Sequence, residues 1–197
     1  MKKIMIFAAA FFFLVNAKAQ EVHFGIKGGL NASSLNSNPT NSDMQTKIGF
    51  NAGVLAHIHG ANAQWGVQPE LYYSAEGAKS KANSDVKTNL DFLNLPVLLQ
   101  YMFDNGFRIE AGPQVGFLLN AKGKTGSSST DVKDNFKGTS FSIPVGVGYL
   151  TTTGLGFDAR YNFGISDLSK NSDLPKIHSN VFQFGIFYQF SDPKIKE

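Results

Sequence analysis

The strongest constraint on the fold is an alternation of apolar and polar residues that recurs in eight segments of the chain. A period of two is typical of β-strands that have one apolar and one polar face. In the segment 155–165, for example, one phase is apolar throughout, whereas the other contains Asp158 and Arg160. The alternation runs over 22–32, 46–59, 64–78, 90–103, 107–119, 139–151, 155–165 and 181–190. The sequence therefore predicts eight strands.

Long and tight connections alternate between these segments. Examples of the long polar stretches are 33–45, 121–138 and 166–178, and the tight connections are 60–63, 104–106 and 152–154. The pairs Asn105-Gly106 and Thr153-Gly154 suit hairpin turns, because glycine tolerates a positive φ. Short turns at one end and long loops at the other predict an all-β fold, an eight-stranded antiparallel up-and-down transmembrane β-barrel.

The size of the barrel indicates which face looks outward. An eight-stranded lumen is just wide enough for side chains to fill, and the many large rings of the apolar phase would crowd it. We therefore expect the apolar phase to face lipid and to carry no charge, while the glycine-rich polar phase lines the lumen. The charged residues of the polar phase form a predicted lumen charge network: Lys27, Glu70, Glu76, Arg108, Glu110, Asp158 and Arg160. Their opposite charges are expected to pair and to plug the lumen.

Aromatic residues give a second indication of a membrane barrel, because girdles of aromatic side chains mark both membrane interfaces in such barrels. At the end with the tight turns, the predicted aromatic girdle consists of Trp65, Tyr101, Phe103, Phe107, Tyr149, Phe157, Tyr188 and Phe190. Other aromatic residues fall towards the opposite strand ends, as a second girdle requires.

The first residues have the pattern of a secretory signal peptide. Two lysines precede an apolar run of about twelve residues, and Ala17-Lys18-Ala19 provides a cleavage site. We predict a signal peptide over 1–19, a barrel domain over 20–190 and a short tail over 191–197. The whole chain has a formal charge of +3, but removal of the three leader lysines leaves a neutral barrel. A nucleic-acid partner is therefore not expected.

Prolines are the one feature that fits a closed barrel poorly, since each proline removes a hydrogen bond from the strand ladder. Pro69, Pro96, Pro113 and Pro144 fall within the third to sixth predicted strands. Bulges beside the prolines, or lumen water bound to the freed carbonyl groups, would each accommodate them. The sequence does not distinguish these two solutions.

Several stretches together resemble the PorT-like outer-membrane β-barrel family of Bacteroidota. They are FGIKGGLNASSL (24–35), PELYYSAEGAK (69–79), LDFLNLPVLLQY (90–101), AGPQVGFLLNAK (111–122), SIPVGVGY (142–149), GLGFDARYNFGISDL (154–168) and VFQFGIFYQF (181–190). The resemblance covers the predicted mature chain and implies an OmpA-like eight-stranded barrel in the outer membrane. Because the founding member is linked to protein secretion, it also implies a secretion- or envelope-related role by analogy.

No catalytic, cofactor-binding or metal-binding site is expected. The chain has no cysteine, which excludes thiol catalysis, disulfides and cysteine-based zinc sites. His57 and His59 would share the lumen face near the turns, but a third metal ligand is not evident. His178 lies beside Ser179 in a predicted loop, without a motif that would make them a catalytic pair.

The leading functional prediction is a non-enzymatic integral outer-membrane barrel with a plugged lumen and a structural or interaction role. Its expected partners are outer-membrane lipid and, through the extracellular loops 33–45, 121–138 and 166–178, other proteins. Two alternatives stay open. One is a secreted lipocalin-like protein that binds a hydrophobic ligand inside the barrel, and the other is an outer-membrane enzyme that modifies lipid.

Overall fold

A computed structural model of the chain describes residues 22–37, 44–60, 64–81, 85–171 and 176–190. The strands are β1 (Val22–Ser37), β2 (Met44–His59), β3 (Trp65–Ser80), β4 (Val86–Met102), β5 (Phe107–Ala111), β6 (Gln114–Thr125), β7 (Ser128–Asp131), β8 (Thr139–Leu150), β9 (Leu155–Gly164) and β10 (Ile177–Gln189). A 3-10 turn, Lys133–Asn135, follows β7. The predicted signal peptide and the predicted tail lie outside the described residues. Across the described part of the chain, no helix has the length and apolar character needed to cross a membrane.

The strands close into a ring of eight. Each strand pairs with antiparallel neighbours, β1 pairs with both β2 and β10, and β3 pairs with β4. The strands β5 and β6 continue one register against β4, in which Leu99 pairs with Ala111 and Leu95 pairs with Val115. They therefore form one barrel strand that is interrupted at 112–113, while β7 only extends a hairpin from β6. The predicted eight-stranded antiparallel barrel is confirmed.

The apolar phase faces outward along the ring. On β1, Phe24, Ile26 and Leu30 are 64%, 52% and 60% exposed, whereas Lys27 and Asn31 of the alternate phase are buried. The same alternation of exposed apolar and buried polar side chains runs along β9 and β10. A lipocalin-like barrel needs the opposite arrangement, with its apolar side chains inside. The structure does not support that alternative.

Asp91 breaks the expected pattern, because it lies on the outward phase of β4. Its carboxylate accepts hydrogen bonds from Tyr73 Oη (2.8 Å) and from Asn120 Nδ2 (3.2 Å). The expectation that the outward phase carries no charge is therefore wrong at this position. The two donors provide the polar partners that a carboxylate at the edge of an apolar surface requires.

Glycines on the inner face make room for large side chains of neighbouring strands. A Cβ atom at Gly156 would collide with the ring of Phe187, and one at Gly66 would lie 2.6 Å from Cε1 of His57. At the turns, Gly106 and Gly154 have φ values of 88° and 87°, as the hairpin prediction requires. The lumen is thus filled by large residues that occupy the space left by glycines.

The prolines are accommodated without register shifts beside them. The shifts in the ladder lie between Thr46 and Asn51 and between Asp91 and Phe92. At the interruption of the fifth barrel strand, Val97 N donates to the carbonyl of Pro113 at 3.0 Å. The ladder therefore continues across the proline, and the suggested bulges beside the prolines are not observed.

An apolar cluster fills the lumen at the end that carries the long loops, which we call the loop end. This apolar plug consists of Leu35, Ala78, Leu90, Phe92, Leu118, Ala121 and Leu168, with Val132, Phe136 and Ile177 packed against it. Two loops are joined above it, since Lys137 N donates to Leu168 O (2.8 Å) and Lys170 N donates to Asn135 O (3.0 Å). The loops therefore seal this end of the barrel.

Candidate functional site

The polar interior of the barrel is the candidate site, and it is arranged in layers below the apolar plug. The layer nearest the short turns, at what we call the turn end, contains three histidines and Arg108. A charge cluster of Lys27, Glu70, Glu110, Asp158 and Arg160 comes next. A layer of amide and hydroxyl groups lies between the charge cluster and the plug. Each layer is built from the inward phase of several strands, so the register of the ring fixes its position.

Arg160 is the centre of the charge cluster. Its guanidinium binds Glu70 through two hydrogen bonds, Nη1 to Oε2 and Nη2 to Oε1, both 2.8 Å long. Its Nε donates to Glu110 Oε1 and lies 3.7 Å from Asp158 Oδ1. Arginine suits this position because its planar fork can bind several carboxylate oxygens at once.

Lys27 supplies the second cation of the cluster. Its Nζ lies 3.0 Å from Glu70 Oε2 and 4.0 Å from Asp158 Oδ2. The ammonium also lies 5.0 Å from the centre of the Tyr72 ring, on its face. The cluster thus joins strands β1, β3, β5 and β9 across the lumen, and all of its members are buried.

Two members of the predicted network lie outside this cluster. Glu76 lies nearer the loop end, where its carboxylate accepts hydrogen bonds from Ser74 Oγ, Asn94 Nδ2 and Ser179 Oγ at 2.9, 3.3 and 2.9 Å. Arg108 reaches the cluster only through an amide, as its Nη1 donates to Gln100 Oε1 at 3.3 Å. All seven residues of the predicted network are buried, but the sequence did not show that they separate into distinct layers.

The layer around Glu76 consists of neutral polar groups. Asn31 Nδ2 donates to Ser74 Oγ (2.9 Å), and Asn51 Nδ2 donates to Asn31 Oδ1 (2.7 Å). Tyr72 Oη donates to Gln114 Oε1 at 2.7 Å, which links β3 to β6. These residues occupy the predicted inward phase, but the sequence did not indicate which of them contact each other.

Three histidines meet at the turn end of the lumen. The ring centroids of His57 and His59 are 4.6 Å apart, and those of His23 and His59 are 5.3 Å apart. The sequence paired His57 with His59 but missed His23, which the pairing of β1 with β2 brings opposite His57. Across the described ranges, no three side chains of the metal-ligating types are placed to hold one metal ion.

The pair His178 and Ser179 gives no support to a lipid-modifying enzyme. Both residues belong to β10 and not to a loop, which corrects the prediction. Ser179 Oγ donates its hydrogen bond to Glu76 Oε2 at 2.9 Å. The hydroxyl is therefore engaged in the lumen network and is not paired with the neighbouring imidazole.

The residues of the predicted girdle form a band around the turn end. Rings of Trp65 and Tyr101 lie 5.0 Å apart, those of Tyr101 and Phe103 5.0 Å, and those of Phe103 and Phe107 5.7 Å. Strand pairing extends the band, because Phe107 pairs with Tyr149 and Tyr149 pairs with Phe157. Rings of Tyr188 and Phe190 lie 5.6 Å apart. The position of this band at a membrane interface stays a prediction.

An ion pair outside the strands ties the loops together. Lys137 Nζ donates to Asp167 Oδ2 at 2.9 Å, and the backbone N–H groups of Ser169 and Ile177 donate to Asp167 Oδ1 at 2.9 and 3.0 Å. The Lys137 ammonium and these backbone donors lower the pKa of the Asp167 carboxyl below its ordinary value of 3.8. The carboxylate therefore acts as a charged clasp between loops 121–138 and 166–178.

Comparisons with known proteins agree with the fold. The sequence pattern of one family, described as outer membrane protein beta-barrel domain, matches residues 18–170. No curated protein matches the chain. The crystal structure of Neisserial surface protein A superposes with a TM-score of 0.61 at 14% identity, covering 88% of this chain and 100% of that chain.

A second similar structure is Ail, the attachment invasion locus protein of Yersinia pestis. It superposes with a TM-score of 0.53 at 16% identity, covering 86% of this chain and 99% of that chain. Ail in complex with the heparin analogue sucrose octasulfate superposes with a TM-score of 0.51 at 17% identity, with coverage of 86% and 99%. At such identities, the likeness concerns the barrel fold and not the ligand.

Proposed function

The chain belongs to the outer membrane protein beta-barrel domain family, and from this we propose that it is a non-enzymatic integral protein of the outer membrane whose lumen is plugged by its own side chains. Its role is structural or interactive, and it does not conduct solutes. The short turns face the periplasm and the long loops face the exterior, as is usual for such barrels. The signal peptide over 1–19 directs the chain across the inner membrane.

One observation carries the plugged-lumen proposal: buried side chains fill successive layers of the barrel. Arg160 and Glu70 are almost completely buried in the charge cluster, and Leu90 and Leu168 are equally buried in the plug above it. Opening a water-filled path would require both the ion pairs and the apolar plug to separate. Such a path would expose apolar surface and break buried ion pairs, and both changes are unfavourable.

Three measurements test this proposal. The full chain, refolded into detergent, is expected to migrate differently on a gel before and after heating, and to fractionate with the outer membrane in cells. In planar lipid bilayers it is expected to give no stable channel openings. Regular single-channel currents would contradict the plugged lumen, and a detergent-free pool in the periplasm would contradict the location.

The interaction role has a specific candidate surface, a row of lysines at the loop end. Lys79 of β3 pairs directly with Lys87 of β4, and Lys87 pairs directly with Lys124 of β6. Like charges directly opposite each other on adjacent strands are destabilising, so a polyanion bound across the row would relieve their repulsion. The complex of Ail with sucrose octasulfate is a precedent for an anionic ligand on a similar fold.

Sucrose octasulfate itself is a suitable probe for this lysine row. We expect it to bind the refolded chain in a salt-dependent manner, and we expect the variant Lys87→Ala to bind about tenfold more weakly. Lys170→Ala, which removes an exposed lysine of another loop, is the matched control. If both variants lose the same amount of affinity for sucrose octasulfate, the attraction is unspecific, and a role for the lysine row is contradicted.

The likeness to PorT-like barrels supports a narrower proposal, a secretion- or envelope-related role exercised through protein partners. The cysteine-free chain allows single cysteines to be introduced into the loops 33–45, 121–138 and 166–178 for crosslinking in whole cells. Crosslinks to a defined envelope protein are expected from at least one loop. Crosslinks to no protein from any loop would favour a purely structural role.

A further inference from the structure

The turn end of the lumen contains a chamber that the proposed plugged barrel does not explain. Its volume is about 290 Å³, and its walls include the three histidines, Arg108, Gln189 and the turn after β8. Among the described residues that line it, there is no aspartate or glutamate. Because its walls belong to the inner face of the ring, strands separate it from lipid, and it opens at the turn end of the barrel.

Arg108 is the unusual residue of this chamber. Its side chain is only 2% exposed, yet none of the ion pairs formed within the described residues includes it. Its guanidinium makes one hydrogen bond, to Gln100 Oε1, and stacks 5.5 Å from the centre of the Phe187 ring. Its Nε has no hydrogen-bond partner. A buried guanidinium without a directly bound anion is unfavourable, because its lost hydration is not replaced.

Other donors at the chamber are also left without partners. Gln189 Nε2 has none, and neither ring nitrogen of the buried His57 makes a hydrogen bond. A small rotation would pair one of these nitrogens with the nearby Gln68 Oε1, which also lacks a partner, but the other nitrogen would remain. Unsatisfied buried polar groups are rare in proteins, and Arg108, His57 and Gln189 bring several of them to this one cavity.

The chemistry of these groups favours an anion over a cation. A guanidinium and an amide N–H can only donate, and a neutral imidazole donates from one nitrogen. The permanent charge of Arg108 would repel a metal ion from the adjacent imidazoles, and no carboxylate among the described lining residues offsets that charge. Water alone would satisfy hydrogen bonds, but it would leave the guanidinium without a directly bound anion.

We propose that the turn-end chamber binds a small oxyanion, of the phosphate or carboxylate class, held by Arg108, His57 and Gln189. Arg108 supplies the charge and a forked pair of donors, which matches two oxygens of such an anion. The anion enters as a free solute through the turn end. The cavity has room for a phosphate-sized ion together with its remaining water.

Histidine NMR signals of the refolded full chain in detergent micelles test the proposal directly. Inorganic phosphate is titrated at constant ionic strength against sodium chloride, and acetate is titrated in a parallel sample. The ring signals of His57 and its two neighbours are expected to shift in a saturable manner. The signal of His178, which belongs to the loop end of β10, is the internal control and is expected to stay in place.

Two variants assign the effect to the chamber. Arg108→Gln is expected to weaken phosphate binding by about tenfold or more, because a charge-assisted hydrogen bond is lost. Gln189→Leu, which leaves all charges in place, is expected to weaken it by a smaller factor. Both variants are compared after gel migration has confirmed that they fold, and the second keeps the test decisive if the first does not fold.

Three results would overturn the proposal. The first is a shift that equals the chloride effect and never saturates. The second is an unchanged response in both variants. The third is a response of the three histidines to stoichiometric zinc ions, with none to phosphate, which would identify a metal site in place of an anion site.

Discussion

The two ends of the lumen are filled by different kinds of interaction. Towards the turn end, charged side chains such as Arg160 and Glu70 pair with each other, and the chamber beyond them opens outward. Towards the loop end, apolar residues such as Leu90 and Phe92 pack against Leu168, which comes from a loop. One end is thus held by directional contacts between strands, and the other by contacts between strands and loops.

The two kinds of interaction have different structural roles in this narrow barrel. Ion pairs across the lumen fix which strands face each other, because each carboxylate must reach a specific cation. Apolar packing is less directional and suits a seal to which two loops contribute. We therefore expect changes at the charge cluster to affect the whole barrel, and changes at the plug to affect mainly the loop end.

Arg160→Ala should give the largest loss of stability. It removes the central cation and leaves Glu70, Glu110 and Asp158 buried with too little compensation, which costs about 3–5 kcal/mol. The temperature at which the heated barrel changes its gel migration should fall clearly. Arg108→Ala is the matched control, since it removes a buried arginine without an ion pair. An unchanged transition in Arg160→Ala would show that the cluster does not support folding.

Leu168→Ala should give the next largest effect, about 2–3 kcal/mol of lost packing, and its consequences should stay local. Amide hydrogen exchange is expected to rise near Val132 and Ile177, which pack against the plug, and to change little in β1 near Lys27. Leu155→Ala, on the outward face, is the control of equal size change. A uniform rise in exchange over the entire barrel would contradict the division between the two ends.

Gly156→Ala tests whether glycines of the inner face leave the space that large side chains of neighbouring strands occupy. The added methyl group would meet the ring of Phe187, and such overpacking costs about 1–3 kcal/mol. Truncating the ring in the double variant Gly156→Ala, Phe187→Leu is expected to recover part of the loss. The free energy of unfolding is measured with guanidinium in detergent. If the loss in the double variant equals the sum of the losses in the two single variants, Gly156 does not provide the space for the Phe187 ring.

The smallest effect should come from the Asp167 clasp. Because the folded state lowers the pKa of this carboxyl, its contribution to stability is complete above the ordinary value of 3.8 and is lost as the pH falls below it. The amide signals of Ser169 and Ile177 should titrate with an apparent pKa below 3.8. In Asp167→Asn this titration should vanish. A titration at the ordinary carboxyl value would mean that the clasp does not form in solution.

Sequence patterns predicted the ring because each strand repeats its two faces many times. The inward position of Arg160 and the outward position of Phe24 both follow from that repetition. The pattern failed where a residue is governed by local partners, as at Asp91, whose carboxylate binds Tyr73 and Asn120. A period of two assigns a side chain to a face, but it contains no information about what lies beside it.

The layers of the lumen depend on register between strands, which the sequence does not display. His23 joins His57 only because β1 and β2 pair at that offset. The apolar plug is less evident in the sequence, where its only indication on β4 is that Leu90 and Phe92 are apolar residues on the inward phase. Such residues indicate burial on both faces, but the contribution of Leu168 from a distant loop could not be deduced from spacing.

The pairing of β1 with β10 has a consequence for how the newly synthesised chain folds. Gly25 of the first strand pairs with Gln189 of the last, so the cylinder has no complete wall until almost the whole chain has been made. Bringing the two ends of so long a segment together lowers the conformational entropy of the chain. The favourable contacts between β1 and β10 form only afterwards and then compensate for this loss. Until that moment two strand edges stay open and prone to aggregation. The seam thus makes the assembly of the barrel an all-or-none event that depends on protection of the unfinished chain.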